Sequence, residues 1–177
     1  MEPLSESLTF AAVKPGAVLE TRAHTVTPED VTRFSDLTFD HHPLHTDDAF
    51  ARSMGFEQRI AHGLYGLSLM EGLKAELGLY TTTSIASLGW DKVRFLLPLY
   101  VGATVRCRVT FGSKRLSSKP GKGVVNELVE LVDADEAVVI SAEHATLLSV
   151  PAQRQDSRSG RGITPDKEPV STREMDQ

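Results

Sequence analysis

Four of the chain's six histidines, His41, His42, His45 and His62, fall within 22 residues beside Asp40. Asp40 and His45 flank a segment containing Pro43, whose fixed φ limits backbone freedom, so a short rigid turn can present a carboxylate and an imidazole to one cleft. Two such groups facing one water supply what addition of water to an activated carbon–carbon double bond requires. One takes a proton from the water as it attacks the β carbon, and the other delivers a proton to the α carbon, each worth about 10²- to 10⁴-fold in rate. Downstream, Ile60-Ala61-His62-Gly63 leads into the most apolar stretch of the chain. Free N–H groups at a helix entrance, unobstructed by a side chain at Gly63, form a site for the negative oxygen that develops on a substrate carbonyl, worth roughly 10²- to 10³-fold.

Other chemistries fit less well. His41, His42, His45 and Asp47 or Asp48 offer ligand types that suit zinc or iron. The spacing contains no helical His-x-x-x-His pair and Pro43 interrupts regular geometry, so no metal is expected. His62 reads as a hydrogen-bonding residue at the helix start. Tyr65 and Leu69 can pack in the core and also line an acyl-chain tunnel. Lys114, Arg115, Lys119 and Lys122 share one acid-free loop, able to meet phosphates by charge-assisted hydrogen bonds or to serve as a solvated hairpin connection.

These residues need a scaffold. Val18 to Val26 is β-branched enough for a strand. Thr27, Pro28 and Asp30 form a helix start, with Thr27 as N-cap and Val31, Phe34 and Leu37 as the apolar face that follows. A second short helix is expected from Thr46 to Met54, capped by Thr46 and closed by Gly55. Between them, Pro43 disfavours helical geometry at His42, and the stretch from Phe39 to His45 reads as a turn. Residues 63 to 78 carry apolar side chains in nearly all directions, the pattern of a helix buried on most sides. After Thr81 the chain reads as strands: Ile85 to Leu96, the alternation of Val105, Cys107, Val109 and Phe111, and a hairpin of Val124 to Val132 with Ala137 to Leu148. One long helix followed by antiparallel strands implies an α+β fold with the sheet wrapped on the helix. Residues 1–150 form the expected single domain, and 151–177, poor in apolar residues, a disordered polar tail.

Composition sets further bounds. With 177 residues, 40% hydrophobic and 24% charged, the chain has the make-up of an ordinary globular protein. A formal net charge of −5 argues against a nucleic-acid partner. No apolar run approaches the roughly 18 to 20 residues of a membrane span, and Met1 to Leu8 lacks the features of a secretory signal, so the expected location is the cytoplasm, with no membrane partner. The single cysteine, Cys107, belongs to the inward set of its strand and is expected to be packed, not reactive.

The stretch Thr38-Phe39-Asp40-His41-His42-Pro43-Leu44-His45, with Ala49-Phe50-Ala51, Gly55-Phe56 and Ile60-Ala61-His62-Gly63, resembles the signature of MaoC-like dehydratases and (R)-specific enoyl-CoA hydratases. Val93 to Gly102 resembles a later strand and turn of the same family, and the similarity spans Val13 to Val150. The resemblance implies a hot-dog fold, in which short helices carry the active-site turn and two units pair as a homodimer. It further implies that Asp40 and His45 hold the catalytic water and that the Gly63 amide polarises a thioester carbonyl. His42, Phe39, Ala61, His62, Tyr65, Lys114 and Arg115 are the expected substrate-binding residues. The implied reaction is reversible hydration of a 2-enoyl thioester carried by CoA or a carrier protein, within fatty-acid metabolism, with no cofactor beyond the CoA of the substrate. A hot-dog thioesterase and a non-catalytic acyl-thioester-binding subunit are the alternatives. Two departures stand out: Phe39 and His42 replace the small residue and the Asn of the family's Gly-Asp-x-Asn-Pro, and Glu71 stands where Ser is common. A carboxylate at 71 is positioned by this reading to alter the titration of the catalytic pair.

Overall fold

The computed structural model describes residues 7–151; the expected tail, from 152 onward, lies outside them. Strands β1 (Val18–Glu20) and β2 (His24–Thr25) precede helices α1 (Pro28–Thr38), α2 (Pro43–Thr46), α3 (Asp48–Ser53) and α4 (Gly63–Glu76). Four long strands follow: β3 (Ser84–Phe95), β4 (Thr104–Leu116), β5 (Lys122–Asp133) and β6 (Val138–Ser149). The six strands form one antiparallel sheet in the order β1-β4-β5-β6-β3, with β2 also paired to β4. The architecture is α+β, the hot-dog arrangement of a central helix against a curved sheet.

The period of two along β4 places Val105, Cys107, Val109 and Phe111 in the interior, each at most 3% exposed. Each such burial contributes roughly 1.5–3 kcal/mol for a large apolar side chain. Helix α4 lies against this face with Met70 and Leu73 buried, and the Cys107 thiol directed at the Met70 carbonyl at 3.6 Å. Burial pushes the Cys107 thiol up to about 12, so the residue is packed and unreactive. The helix approaches the sheet so closely at Gly66 that a Cβ there would lie 2.3 Å from Ile140 Cδ1. A side chain at this position would require the buried Ile140 side chain to shift.

Local signals position the rest. Thr27 Oγ1 accepts from Asp30 N at 3.1 Å and Asp30 Oδ2 from Thr27 N at 2.8 Å, completing the capping box of α1. Its buried face is Val31 and Ser35, with Phe34 packed behind them, whereas Leu37 is 76% exposed and does not join the apolar face expected for it. The strand expected from Val18 to Val26 is two pieces. Thr21 interrupts it by accepting Cys107 N–H on its hydroxyl at 2.9 Å, in place of a backbone carbonyl. The turn after Asp40 tightens into the single helical turn α2, with Pro43 at its first position and His42 as cap. That turn consumes Thr46, so the cap of α3 is Asp47, which accepts from Ala49 N and Phe50 N at 2.7 and 3.1 Å.

A polar cluster sits inside the core. Lys74 Nζ, from α4, donates to Glu127 Oε2 at 3.0 Å and to His144 Nδ1 at 2.6 Å, while Tyr80 Oη donates to Glu127 Oε1 at 2.7 Å. All four residues are buried. At the far end of the sheet, Lys114 Nζ donates to the carbonyls of Phe10, Ala11 and Val13, tying the N-terminal segment to β4.

Candidate active site

A cleft of about 650 Å³ opens where the end of α1, the α2 turn, the entrance of α4 and the end of β3 meet. Asp40, His45, His62 and Gly63 line its polar side; Phe95 and Leu97 line its apolar side. One side-chain ligand atom from each of Asp40, His45 and His62 lies within 4.8 Å of the other two.

The hydrogen-bond pattern assigns protons. His45 Nδ1 lies 2.8 Å from the Ile60 carbonyl oxygen, which only accepts, so Nδ1 carries the hydrogen and Nε2 keeps its lone pair. Burial lowers the His45 pKa below its ordinary value of 6.5, opposed by the Ile60 bond and the Asp40 carboxylate and reinforced by neighbouring His62. The imidazole is therefore a neutral acceptor at physiological pH. Asp40 Oδ1 accepts the His42 N–H at 3.2 Å, which fixes the carboxylate within the turn, with Oδ2 3.9 Å from His62 Nε2.

His62 braces both. It is 3% exposed, its Nε2–H donates to the Asp40 carbonyl at 2.9 Å, and its ring stacks on His45 with centroids 3.7 Å apart. Ser35 Oγ stands 3.4 Å from the same nitrogen, a buried contact from α1 that the sequence reading missed, although a serine on the inner face of an otherwise apolar stripe is its visible trace. The three side chains are of types that ligate metals. One nitrogen of each imidazole already donates to a carbonyl, which leaves lone pairs on His45 Nε2 and on the buried, unpartnered His62 Nδ1.

Across from the pair, α4 begins at Gly63. No side chain caps this entrance, so the Gly63 amide keeps its hydrogen for an outside acceptor. The ring of Phe95 covers the spot where a side chain would stand, at 2.8 Å from a Cβ built on Gly63.

Among the expected substrate-binding residues, Ala61 and His62 reach the cleft. Five others are placed elsewhere. Tyr65 faces the core, its hydroxyl 3.3 Å from His24 Nε2, because residue 65 turns inward when Gly63 and Leu64 border the cleft. His42 caps α2 with Nδ1 accepting from Leu44 N, and Phe39 is 87% exposed in the left-handed region at φ 62°. Lys114 is engaged by the N-terminal carbonyls, and Arg115 follows it on the exposed end of β4. Glu71 lines a different cavity and stands 3.2 Å from Lys74, so it does not act directly on Asp40 or His45.

The sequence profile described as the MaoC like domain matches residues 10–132. Protein MaoC of Klebsiella aerogenes is 33% identical over 57% of this chain, a match that spans only 30% of that longer protein. The 3-hydroxyacyl-thioester dehydratase Z of Mycobacterium tuberculosis is 33% identical over 60% of this chain and 72% of its own length. Among solved structures, a monoamine oxidase regulatory protein from Archaeoglobus fulgius superposes with a TM-score of 0.76 at 30% identity, over 82% of this chain and 97% of that one. A Mycobacterium tuberculosis protein with a double hot-dog fold superposes with a TM-score of 0.72 at 20% identity, over 87% of this chain and 47% of that one. The profile match, which covers more than two thirds of the 177 residues, makes this chain a member of the MaoC-like domain family.

Proposed function

We propose that the protein catalyses reversible hydration of a 2-enoyl thioester to a 3-hydroxyacyl thioester, carried by CoA or a carrier protein. The observation that carries this reading is the meeting of two acceptors, the Asp40 carboxylate and the His45 imidazole, in the cleft that the uncapped Gly63 also lines. Two acceptors hold both hydrogens of one water. As its oxygen bonds to the β carbon, one acceptor takes a proton and the electrons of the double bond move toward the thioester oxygen, where the Gly63 N–H stabilises the charge. Delivery of that proton to the α carbon from the same wall completes a syn addition; the reverse order is dehydration. His62 holds the Asp40 backbone and the plane of His45. The reaction invokes no cofactor apart from the CoA of the substrate.

The naming of a relative, 33% identical, as a 3-hydroxyacyl-thioester dehydratase supports the same chemistry. Asp40→Asn and His45→Gln should each abolish hydration of crotonyl-CoA, followed by loss of enoyl absorbance, while circular dichroism stays that of the wild type. Retained turnover in either variant would overturn the assignment, and release of free thiol in place of hydration would mark a thioesterase. The functional unit in this proposal is a homodimer joined along β3, a 12-residue edge strand that leaves Ile85, Leu88 and Phe95 exposed. Sedimentation at the monomer mass would refute it. No helix among the described residues is long and apolar enough to cross a membrane.

A further inference from the structure

Strand β3 breaks its own alternation shortly before the cleft, and the break re-aims one side chain. Trp90 pairs with His144 and Phe95 with Ile140, so five steps along β3 match four along β6, with one residue extra between Asp91 and Arg94. Side chains alternate along a regular strand, and residues five apart face opposite sides. The extra residue cancels that alternation and turns Phe95 to the side that Trp90 faces, the side of α4. Lys92, inside the bulge, sits at φ 51°, a left-handed value that a residue with a Cβ holds only at a cost.

Burial of the ring does not offset this. Phe95 is 52% exposed, although its cross-strand partner Ile140 is 1% exposed. What the ring does touch is the entrance of α4. Its Cε1, Cδ1 and Cζ, three consecutive atoms, stand 2.8, 2.9 and 2.9 Å from the place a Gly63 Cβ would take. Near-equal distances to three neighbouring ring atoms put that place over the face of the ring, since beyond its edge the middle atom would be much the nearest. One turn along the helix, Gly66 receives Ile140 Cδ1, so a cross-strand pair is seated on two glycines of α4. The backbone after the ring is held by Leu96 N and Leu97 N, which both donate to the Val139 carbonyl, at 2.9 and 3.2 Å.

The entrance of α4 has no side-chain cap, and an uncapped amide is ordinarily taken by water. Water at that hydrogen competes with a substrate oxygen and weakens the field that would stabilise charge on it. The ring face, the negative side of the aromatic quadrupole, rests on the positive end of the helix and closes one side of Gly63 to solvent. We infer that Phe95 is a positioning residue for the reaction: it seats the α4 entrance and keeps water off the Gly63 amide, so that this hydrogen is reserved for the thioester oxygen. The inference rests on the acyl-thioester reading above.

Acetoacetyl-CoA is the probe, because its enolate carries the negative charge that hydration develops at the thioester oxygen and is seen by its own ultraviolet absorbance. Bound to the full chain, it should ionise at a lower pH than when free. Phe95→Ala should return that transition toward its free position, and Phe95→Leu, which keeps apolar cover over Gly63, should retain most of the shift. In Phe95→Ala, kcat for crotonyl-CoA should fall about tenfold, a part of the 10²- to 10³-fold that such an amide supplies, with KM changed less than about twofold. Added to Gly63→Pro, Phe95→Ala should lower kcat no further, because the hydrogen it protects is already gone. Circular dichroism should match the wild type throughout; if Phe95→Ala unfolds, Phe95→Thr, suited to a strand end, takes its place. An ionisation not lowered in the wild type or unmoved by Phe95→Ala, equal losses in the Ala and Leu variants, or a further fall in kcat on the Gly63→Pro background overturns the inference. A Phe95-dependent ionisation without hydration of crotonyl-CoA removes the hydratase reading alone. A fall in kcat in Gly63→Pro with neither quantity altered by Phe95→Ala removes this inference alone, and failure to bind acetoacetyl-CoA removes both.

Discussion

Replacing Gly63 by proline removes one hydrogen and almost nothing else from the helix. Residue 63 is the first position of α4, where an N–H has no intrahelical partner and proline is well accommodated. The preceding residue must be extended, and His62, at φ −62° and ψ 140°, already is. The new side-chain atoms crowd Phe95, which would lie 2.8 Å from a Cβ at this position, so Gly63→Ala is the matched control that introduces the same crowding but retains the N–H. The half-exposed Phe95 ring can swing aside in both variants. If the amide stabilises charge on the thioester oxygen, kcat for crotonyl-CoA hydration should fall in Gly63→Pro by a further 10²- to 10³-fold relative to Gly63→Ala, about 2.7–4 kcal/mol of transition-state stabilisation. KM should differ little between the two, and their thermal midpoints should agree. Equal kcat in the two variants would refute the assignment of this amide.

Other expectations follow from the same coordinates of charge and burial. Because burial lowers the His45 pKa, the acid limb of the kcat/KM profile should fall below 6.5, activity being lost as pH drops through that value and the imidazole gains a proton; a limb above 6.5 would contradict it. Lys74→Met should destabilise the fold by about 3–5 kcal/mol in urea unfolding, since it strands a Glu127 side chain with no solvent exposure. The double variant Lys74→Met/Glu127→Gln should lose much less than the sum of the single changes. Burial alone would raise the Glu127 pKa, but His144, Lys74 and Tyr80 hold it below the ordinary 4.5. Its contribution is therefore complete above the unfolded carboxyl value and lost as pH falls through the folded one, and Glu127→Gln should flatten acid unfolding in that window. Lys114→Met should loosen the N-terminal segment, detected by faster amide exchange near Phe10 and Val13, with the KM for crotonyl-CoA unchanged; a raised KM would restore the phosphate role considered for that loop.

Local chemistry was readable without coordinates, and distant pairing was not. The capping box at Thr27 and Asp30 involves residues three apart, and both partners are visible in one turn of sequence. The choice between Thr46 and Asp47 as the next cap depended on whether Pro43 opened a helical turn or only blocked one, which adjacent residues do not decide. The cleft itself was foreshadowed because Asp40, His45 and Gly63 belong to contiguous motifs that the turn and helix entrance bring face to face. Tyr65 was misplaced for the opposite reason: on a helix apolar all round, the wheel does not say which side meets the cleft. Lys74, Glu127 and His144 are separated by 53 and 70 residues along the chain, and only the register of β5 on β6 beneath α4 makes them neighbours.

Phe39 carries a consequence of its own. An aromatic residue at φ 62° holds a shape that costs roughly 1–2 kcal/mol for a side chain with a Cβ, and its ring, 87% exposed, recovers little of that through packing. The chain tolerates this tension immediately before Asp40. An engineer seeking a hardier protein would begin at this hinge, where asparagine holds the same backbone angle at lower cost and so leaves the carboxylate aimed as it is.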